Sequence, residues 1–338
     1  MRILIATGIY PPEIGGPAEY AAQLEKVWKG QGHSVAVAVA SRFNFLPIGI
    51  RHLVFLFKLL PLVYRSSAVF VLDTFSAALP AVLAARLLRR PVIVRTGGDF
   101  LWEAYVERTG KLVLFREFYQ TIPLDFTPKE KLIFRLIRYV LSHATLVVFS
   151  TSWQRDIFCP AYGIPVLKTR IIENYYGTST VSQEERVGTV FLGATRNLQW
   201  KNAALLRRVF ARIQKDHPDV VLDLEPSNHA DFLERMKKAY AVILVSLGDI
   251  SPNMILESIR AGKPFIVTCE NGLMNRIGEL GLCVDPQNEQ DIYEKVLQML
   301  SEPIYRDYCE RVRSFNFVHT YDEIGKEIMA CFAEVGVV

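Results

Sequence analysis

Residues 2–7 (RILIAT), 18–29 (AEYAAQLEKVWK) and 34–40 (SVAVAVA) show in turn the patterns of an apolar strand, a helix and a second apolar strand. This order predicts a βαβ unit with parallel strands. The alternation continues in three further strand-like runs: VFVLD (69–73), PVIVRTGG (91–98) and TLVVFST (145–151). The first half of the chain is therefore predicted to form a doubly wound, Rossmann-like domain.

A polar stretch at 178–186, rich in Ser, Thr, Gln and Glu, separates this series from a second one and is predicted to be a linker. Five strand-like runs follow, with helix-like segments between them: VGTVFLG, VVLDLEP, YAVILVSL, PFIVTCE and LCVDP. A chain of 338 residues exceeds what one hydrophobic core usually supports. The prediction is an α/β protein with two Rossmann-like doubly wound domains facing a central cleft. The predicted bounds are 1–175 for the N-terminal domain, 176–310 for the C-terminal domain, and 311–338 for a helical segment that packs back toward the N-terminal domain.

Composition narrows the class of protein. Half of the residues are apolar and 22% are charged, which excludes a disordered chain. The start of the chain lacks the features of a signal peptide, and the longest apolar stretch, 43–64, is interrupted by charges and prolines, so we expect a cytoplasmic protein. The five cysteines show no C-x-x-C spacing and are predicted to be reduced thiols.

The window from Gly248 to Pro264 (GDISPNMILESIRAGKP) carries the chemistry. Ser251 is predicted to cap a helix whose first position is Pro252. The N–H groups of the next three residues, Asn253, Met254 and Ile255, would then form an anion site suited to a diphosphate. Glu257 follows one turn later on the same face, where its carboxylate could accept bonds from the hydroxyls of a ribose. An ordinary helix start with a nearby glutamate would show the same residues.

This window resembles the acidic motif of retaining glycosyltransferases of the GT-B fold, family 4 type (glycosyl transferases group 1). The group includes sucrose and glycogen-type enzymes and many lipopolysaccharide transferases. Its motif is Glu, seven residues, Glu, and then Gly-x-Pro. Glu257 occupies the second acidic position and Gly262-Lys263-Pro264 follows in register, whereas Asp249 replaces the first Glu and shortens its reach by one methylene. The resemblance implies retaining transfer from a UDP- or GDP-sugar, with no bound metal or other cofactor.

Further segments match the same family in the expected order. Gly15-Gly16 resembles its glycine loop near the acceptor and diphosphate, and residues 193–201 (GATRNLQWK) resemble the loop that brings an Arg and a Lys to the donor diphosphate. The resemblance assigns those roles to Arg196 and Lys201, and two cations there would stabilise a leaving diphosphate. Asp99 follows a strand where ligands bind in open α/β sheets, and it is predicted to touch the donor sugar or the acceptor.

The basic residues are concentrated in the first half of the chain. Residues 1–175 contain 21 Lys and Arg against 12 Asp and Glu, and residues 176–338 contain 18 against 23. Thr127 to Glu130 predict a capping box before a helix on which Lys131, Arg135 and Arg138 share one face. An amphipathic basic helix can bind an anionic membrane, although a solvated face is the commoner role of such a stripe. We therefore expect a glycan or lipid-linked acceptor, and peripheral attachment at the inner face of a membrane as one possibility.

Other functions remain open at this level. A nicotinamide dehydrogenase would carry G-x-G-x-x-G after its first strand, and this chain has Gly15-Gly16-Pro17 instead. A sugar-nucleotide epimerase of the same architecture and a non-catalytic, nucleotide-sugar-binding or scaffold descendant of a transferase are the nearer alternatives. Nucleic acid is not an expected partner, because the basic residues are not interleaved with aromatic ones. No histidine pair has metal-ligand spacing.

Overall fold

The computed structural model describes residues 1–13, 15–121, 125–178, 188–194, 196 and 198–337 of the chain. The chain divides into two compact units. Unit 1 comprises Met1–Leu101, Ile122–Tyr175 and His319–Val338, and unit 2 comprises Trp102–Thr121 and Tyr176–Val318. These units differ from the predicted ranges 1–175, 176–310 and 311–338, because residues 102–121 group with unit 2 and the return to unit 1 begins at His319.

Unit 1 is built on a six-stranded parallel sheet. Its strands are β1 (Arg2–Thr7), β2 (Ser34–Val39), β3 (Ala68–Val71), β4 (Val92–Arg95), β5 (Leu146–Phe149) and β6 (Thr169–Ile171). Their order across the sheet is β2-β1-β3-β4-β5-β6. The direction of winding therefore reverses between β1 and β3. We call the carboxyl ends of these two strands the first switch point, since open α/β sheets bind ligands at such reversals.

Unit 2 contains a five-stranded parallel sheet. Its strands are β7 (Thr189–Leu192), β8 (Val220–Asp223), β9 (Ala241–Leu244), β10 (Phe265–Thr268) and β11 (Leu282–Val284). Their order is β11-β10-β9-β7-β8, so the winding reverses between β7 and β9. The carboxyl ends of β7 and β9 form the second switch point. The two parallel sheets confirm the predicted pair of Rossmann-like, doubly wound α/β domains.

Fourteen α-helices lie within the described residues. They are α1 (Gly16–Gly30), α2 (Ile48–Arg65), α3 (Ala78–Leu87), α4 (Phe100–Thr109), α5 (Phe115–Thr121), α6 (Pro128–His143), α7 (Ser152–Tyr162), α8 (Ala203–Ile213), α9 (His229–Lys238), α10 (Asn253–Arg260), α11 (Met274–Ile277), α12 (Glu289–Leu300), α13 (Glu302–Ser314) and α14 (Tyr321–Glu334). The capping box predicted before α6 is confirmed. Thr127 Oγ1 accepts from the Glu130 amide at 3.2 Å, and the Glu130 carboxylate accepts from the Thr127 amide at 2.8 Å.

Helices cover both faces of the first sheet. On one face α1 and α14 pack together in a core that includes Trp28 and Phe332, and Trp28 donates its indole N–H to the Gly325 carbonyl at 3.2 Å. A Cβ at Gly325 would stand 2.9 Å from the Val27 side chain, so the close approach of the two helices requires glycine there. On the other face α2 and α3 pack on β1, and α3 contacts α6.

One expectation about the cysteines is wrong. Cys269 and Cys283 form a disulfide, with 5.4 Å between their Cα atoms. Cys269 directly follows β10, and Cys283 lies in the neighbouring strand β11. Their separation of 14 residues in the sequence does not reveal this proximity. Cys159, Cys309 and Cys331 are buried thiols outside this disulfide, as predicted.

Candidate functional site

The second switch point brings together two of the predicted site residues. Lys201 ends a short turn after β7, and Asp249 lies in the loop after β9. Because β7 and β9 are neighbours, Lys201 Nζ reaches Asp249 Oδ2 at 2.8 Å. Their side chains are 12% and 15% exposed, so the ion pair is shielded from water yet open at one side. The ammonium also lies 4.1 Å from the centre of the Trp200 ring, which holds it over the switch point.

The backbone of Asp249 is fixed by the loop after β10. The Asp249 amide donates to the Glu270 carbonyl at 2.9 Å, and the Gly272 amide donates to the Asp249 carbonyl at 3.0 Å. Gly248, just before it, packs against the aromatic rings of residues 102 and 115 so closely that a Cβ would stand 2.4 Å from Phe115 Cβ. The position of the carboxylate is therefore set by backbone and packing as well as by Lys201.

The Glu270 side chain has a partner that sequence reasoning missed. Glu270 is only 2% exposed, and Arg116 of α5 binds it with both its Nε, at 2.8 Å, and a terminal nitrogen. A bidentate guanidinium compensates a buried carboxylate well. The pair joins residues 154 positions apart, so no local pattern in the sequence could have indicated it.

Helix α10 begins later than predicted. Pro252 occupies the capping position, and the Ser251 side chain makes no capping bond, so the prediction that Ser251 caps the helix is wrong. The Asn253 amide donates to the Ser251 carbonyl at 2.8 Å, and the Ile255 amide donates to the Pro252 carbonyl at 2.9 Å. Of the three predicted anion-binding amides, that of Met254 alone has no partner among the described residues.

Glu257 lies one turn into α10 and has a partner at the start of α9. His229, the first residue of α9, places Nε2 2.8 Å from Glu257 Oε1. The glutamate side chain is 22% exposed and the histidine 68% exposed, so both can be reached by a solute. No sequence pattern indicated His229, because it lies 28 residues before Glu257 and has none of the spacings that mark a histidine site.

Three buried hydroxyls at the same edge of the second sheet have no partner in the described part of the chain. They belong to Ser227, in the loop after β8, and to Ser246 and Ser251, which flank Asp249 after β9. A buried hydroxyl without a hydrogen bond costs roughly 1–3 kcal/mol. Such groups at one edge, beside a cation and a carboxylate, are typical of a site that a polar ligand completes.

Arg196 takes no part in this arrangement. Its side chain is exposed and makes no hydrogen bond or ion pair with any described residue, and its carbonyl accepts from the Leu198 amide at 2.9 Å. Its predicted contact with a diphosphate stays a prediction.

The first switch point is organised differently. Gly15 precedes α1, and a Cβ there would stand 2.7 Å from the Ile9 side chain, whereas one at Gly16 would meet only open space. Asp73, just after β3, accepts from the amides of Phe75, Ala77 and Ala78 at 2.9 to 3.1 Å. Burial raises the pKa of the Asp73 carboxyl, while these three amides oppose that shift. The sequence analysis predicted no role for Asp73, although an acidic residue at the end of a predicted strand could have marked it as a candidate.

The edge beyond β4 holds Asp99 and a buried cation. Asp99 is 5% exposed and accepts from the Leu101 amide at 3.0 Å, so it lies at the start of α4. Arg95, 6% exposed, donates to Ser150 Oγ at 3.2 Å and to Asn174 Oδ1, and its guanidinium carbon lies 3.9 Å from the centre of the Tyr20 ring. The Arg95 Nε and the Tyr20 hydroxyl have no partner among the described residues.

A cavity of about 380 Å³ lies beside the start of α8, lined by residues that include Leu112, Asn202 and Gln287. Lys201, Asp249 and Glu257 do not line it, so the arrangement of charges and not the cavity locates the candidate site. Within the described residues, no group of three or more His, Cys, Asp or Glu is placed to hold a metal ion.

Solved structures share this architecture. HepE of Anabaena, in complex with UDP, superposes with a TM-score of 0.67 at 13% identity, over 99% of this chain and 100% of HepE. Sucrose-phosphate synthase from Thermosynechococcus elongatus gives 0.65 at 13% identity, over 99% and 98% of the two chains. WaaG, a glycosyltransferase involved in lipopolysaccharide biosynthesis, gives 0.66 at 11% identity, over 99% and 100%. No protein-family model and no curated protein matches the sequence. The chain therefore has the two-domain α/β fold of the GT-B glycosyltransferases, as its resemblance to that group predicted.

Proposed function

We propose that the chain is a retaining, metal-independent glycosyltransferase that moves a sugar from a UDP- or GDP-sugar to a glycan or lipid-linked acceptor. The product would be a surface polysaccharide or glycolipid. The observation that carries the proposal is the Lys201–Asp249 pair at the second switch point, with unpaired hydroxyls on both sides of the aspartate. Lys201 and Asp249 both lie in unit 2, which therefore carries the main part of the proposed donor site.

Each donor group has a counterpart in unit 2. Glu257 accepts bonds from the ribose hydroxyls, and the free Met254 amide with the Lys201 ammonium binds the diphosphate. Asp249 faces the transferred sugar, whose hydroxyls it can accept. Breaking the bond between sugar and diphosphate leaves a negative charge on the leaving group, and a lysine already held in place stabilises that charge without further reorganisation.

The fold relationship supports this assignment by analogy. HepE has been solved in complex with UDP and with UDP-glucose, and WaaG takes part in lipopolysaccharide biosynthesis. Because function lies in the site and not in the fold, the assignment rests on unit 2's residues first. The predicted roles of Arg196 in diphosphate binding, and of Gly15, Gly16 and Asp99 in unit 1, remain part of the proposal.

The first experiment is a thermal-shift and calorimetric screen of UDP-, GDP- and ADP-sugars. A ligand that binds only the native state raises stability by about 2.7 kcal/mol at a hundred times its dissociation constant. UDP or GDP should stabilise the chain and the matching nucleoside, which lacks the diphosphate, should not. NAD serves as the negative control. No shift with any nucleoside diphosphate would remove the proposed function.

The second experiment addresses mechanism. With the donor identified, the anomeric configuration of the new glycosidic bond is read by proton NMR. Retention of the donor's configuration, at a rate unchanged by EDTA, is the expected result. Inversion, or a rate that depends on added divalent cations, would contradict the finer parts of the proposal while leaving nucleotide binding intact.

One observation favours a second candidate, a non-catalytic protein that binds nucleotide sugars. The carboxylate at the first motif position belongs to the shorter Asp249 and is already bonded to Lys201. Such a protein would bind UDP or GDP but release no sugar from any donor in the presence of acceptors.

A further inference from the structure

The outer helical layer of unit 1 has an exposed apolar face. In α2, residues 50, 53, 54, 57, 61 and 64 point away from the sheet, while Phe55, Leu59 and Val63 are buried against it. The exposed residues are Ile50, Leu53, Val54, Phe57, Pro61 and Tyr64. Leu53 is 57% exposed and Phe57 is 68% exposed. This helix is therefore apolar on both faces, which is unusual for a surface helix.

The apolar face continues onto neighbouring elements. Phe45, just before α2, is 80% exposed, and the outward residues Leu83 and Leu87 of α3 and Leu132 of α6 are also exposed. Among the described residues, 16 large apolar side chains are exposed and ten of them lie in this layer, so the exposure is concentrated in one place. Contiguous apolar patches of this kind mark interaction surfaces.

Cations and no free carboxylates accompany this face. Residues 26–98 contain ten Lys and Arg and one acid, Asp73, which the amides at the start of α3 bind. On α2, α3 and α6 the one acidic residue is Glu130, which is buried in its capping box. The exposed cations of these helices are Lys58, Arg65, Arg86, Lys129, Lys131, Arg135 and Arg138. An apolar face bordered by cations complements an anionic lipid surface.

We infer that the outward face of α2, α3 and α6 docks on an anionic phospholipid bilayer, with the apolar side chains of α2 entering the acyl boundary. Helix α6 alone would not achieve this, because its apolar residues Ile137, Val140 and Leu141 are buried and Leu132 is its one large apolar side chain that is exposed. Within the described residues no helix is long and apolar enough to cross a membrane, so the contact is with one leaflet.

A second copy of the chain fits this face poorly. A two-fold interface would bring the cations of one copy against the same cations of the other, with no exposed carboxylate on these helices to separate them. The inference rests on the residues of this surface and not on the proposed reaction, although a lipid-linked acceptor would be found at the same place.

The test is co-sedimentation with vesicles of phosphatidylcholine alone and of phosphatidylcholine with one third phosphatidylglycerol. The parent chain should bind the anionic vesicles. The pair Leu53→Ser and Phe57→Ser should lower the partition coefficient about tenfold or more at low and high salt, because it removes inserted apolar area. Reversal of Lys131, Arg135 and Arg138 to Glu should lower binding mainly at low salt.

Matched controls keep surface chemistry constant. Val166→Ser with Leu167→Ser changes two apolar residues elsewhere in unit 1 that are at least as exposed as Leu53 and Phe57. Reversal of the exposed Lys215, Arg313 and Lys326 changes three cations elsewhere. Neither control should alter binding. A parent chain that ignores anionic vesicles, or a serine pair that binds like the parent, would overturn the inference. So would sedimentation velocity showing a dimer that the serine pair dissociates.

UDP affinity in solution distinguishes this result from the proposed function. The serine pair should bind UDP as the parent does. If the chain binds vesicles but no nucleotide, the docking surface stands and the proposed transferase function fails. If it binds nucleotide but no vesicles, the proposed function stands and the docking surface fails.

Discussion

The two switch points have the same topology but use their carboxylates differently. At the first, Asp73 accepts three backbone amides and caps the start of α3, so its bonding capacity is taken up by the fold. At the second, Asp249 pairs with one lysine side chain and stands between the unpaired hydroxyls of Ser246 and Ser251. A carboxylate satisfied by backbone serves structure, whereas one held by a movable side chain beside unsatisfied groups is available to a ligand.

The same isosteric change at both positions tests this difference, and the larger effect is expected at the second. Asp249→Asn keeps the shape and removes the charge. We expect turnover with the true donor and acceptor to fall about a hundredfold, since electrostatic groups at a reacting centre contribute on that order. UDP affinity should stay within about threefold of the parent value. Full turnover in Asp249→Ala would show that this carboxylate takes no part.

Lys201→Ala removes the cation of the Lys201–Asp249 pair at the second switch point. Charge-assisted hydrogen bonds contribute about 1.5–3 kcal/mol, so the affinity for UDP or GDP should fall about 10- to 100-fold. Isothermal titration calorimetry measures this directly. Lys215→Ala, at an exposed lysine of the same unit, is the matched control. Equal UDP affinity in the two variants would remove Lys201 from the donor site.

A third prediction concerns the support beneath Asp249. Arg116→Ala leaves the Glu270 carboxylate buried without its guanidinium, and an unsatisfied buried group costs about 1–3 kcal/mol. The urea midpoint of unit 2's unfolding should fall accordingly, even though the arginine is 55% exposed. Arg116→Lys should restore part of the loss and Arg116→Ala with Glu270→Gln most of it. An unchanged midpoint would mean that water replaces the arginine.

These contacts also show how far the sequence leads. The apolar runs predicted the five strands of the second sheet and five of the six strands of the first, all but β6. The resemblance to a known family, and not the strand order, selected Lys201 and Asp249. Contacts made in space were not predictable: Arg116 with Glu270, His229 with Glu257, and the disulfide at β10 and β11 join residues with no shared local pattern.

Local patterns misled at two places for physical reasons. Ser251 precedes a proline and has the chemistry of a cap, but the helix starts one residue later than the pattern suggests, and the hydroxyl cannot reach its amides. No local pattern separates residues 102–121 from their neighbours, and contacts such as packing on Gly248 and pairing with Glu270 group them with unit 2.

The smallest effect is expected for Asp73→Asn at the first switch point. Burial raises the pKa of Asp73 above its ordinary value of 3.8, so the folded state holds the proton more tightly than the unfolded chain. Its stabilising contribution is complete below that value and is lost as pH rises through the folded pKa. Asparagine does not titrate. The parent should therefore lose stability relative to Asp73→Asn as pH rises above 3.8, the ordinary value for this carboxyl.

Urea unfolding of both proteins across pH 3 to 8 measures the difference. UDP affinity and turnover should be the same in the two, in contrast to the result at Asp249. If the parent instead gains stability relative to Asp73→Asn as pH rises, the pKa of Asp73 is lowered in the folded protein and the prediction is wrong.

Hydrogen–deuterium exchange with and without UDP tests most directly the claim that the donor binds at the second switch point. We expect UDP binding to slow hydrogen exchange in peptides covering 198–206 and 245–258 and to leave it unchanged in peptides covering 2–13 and 72–80. Repeating the measurement on Lys201→Ala at the same UDP concentration should abolish most of the protection. Protection confined to the first switch point, or the same protection in Lys201→Ala as in the parent, would contradict it.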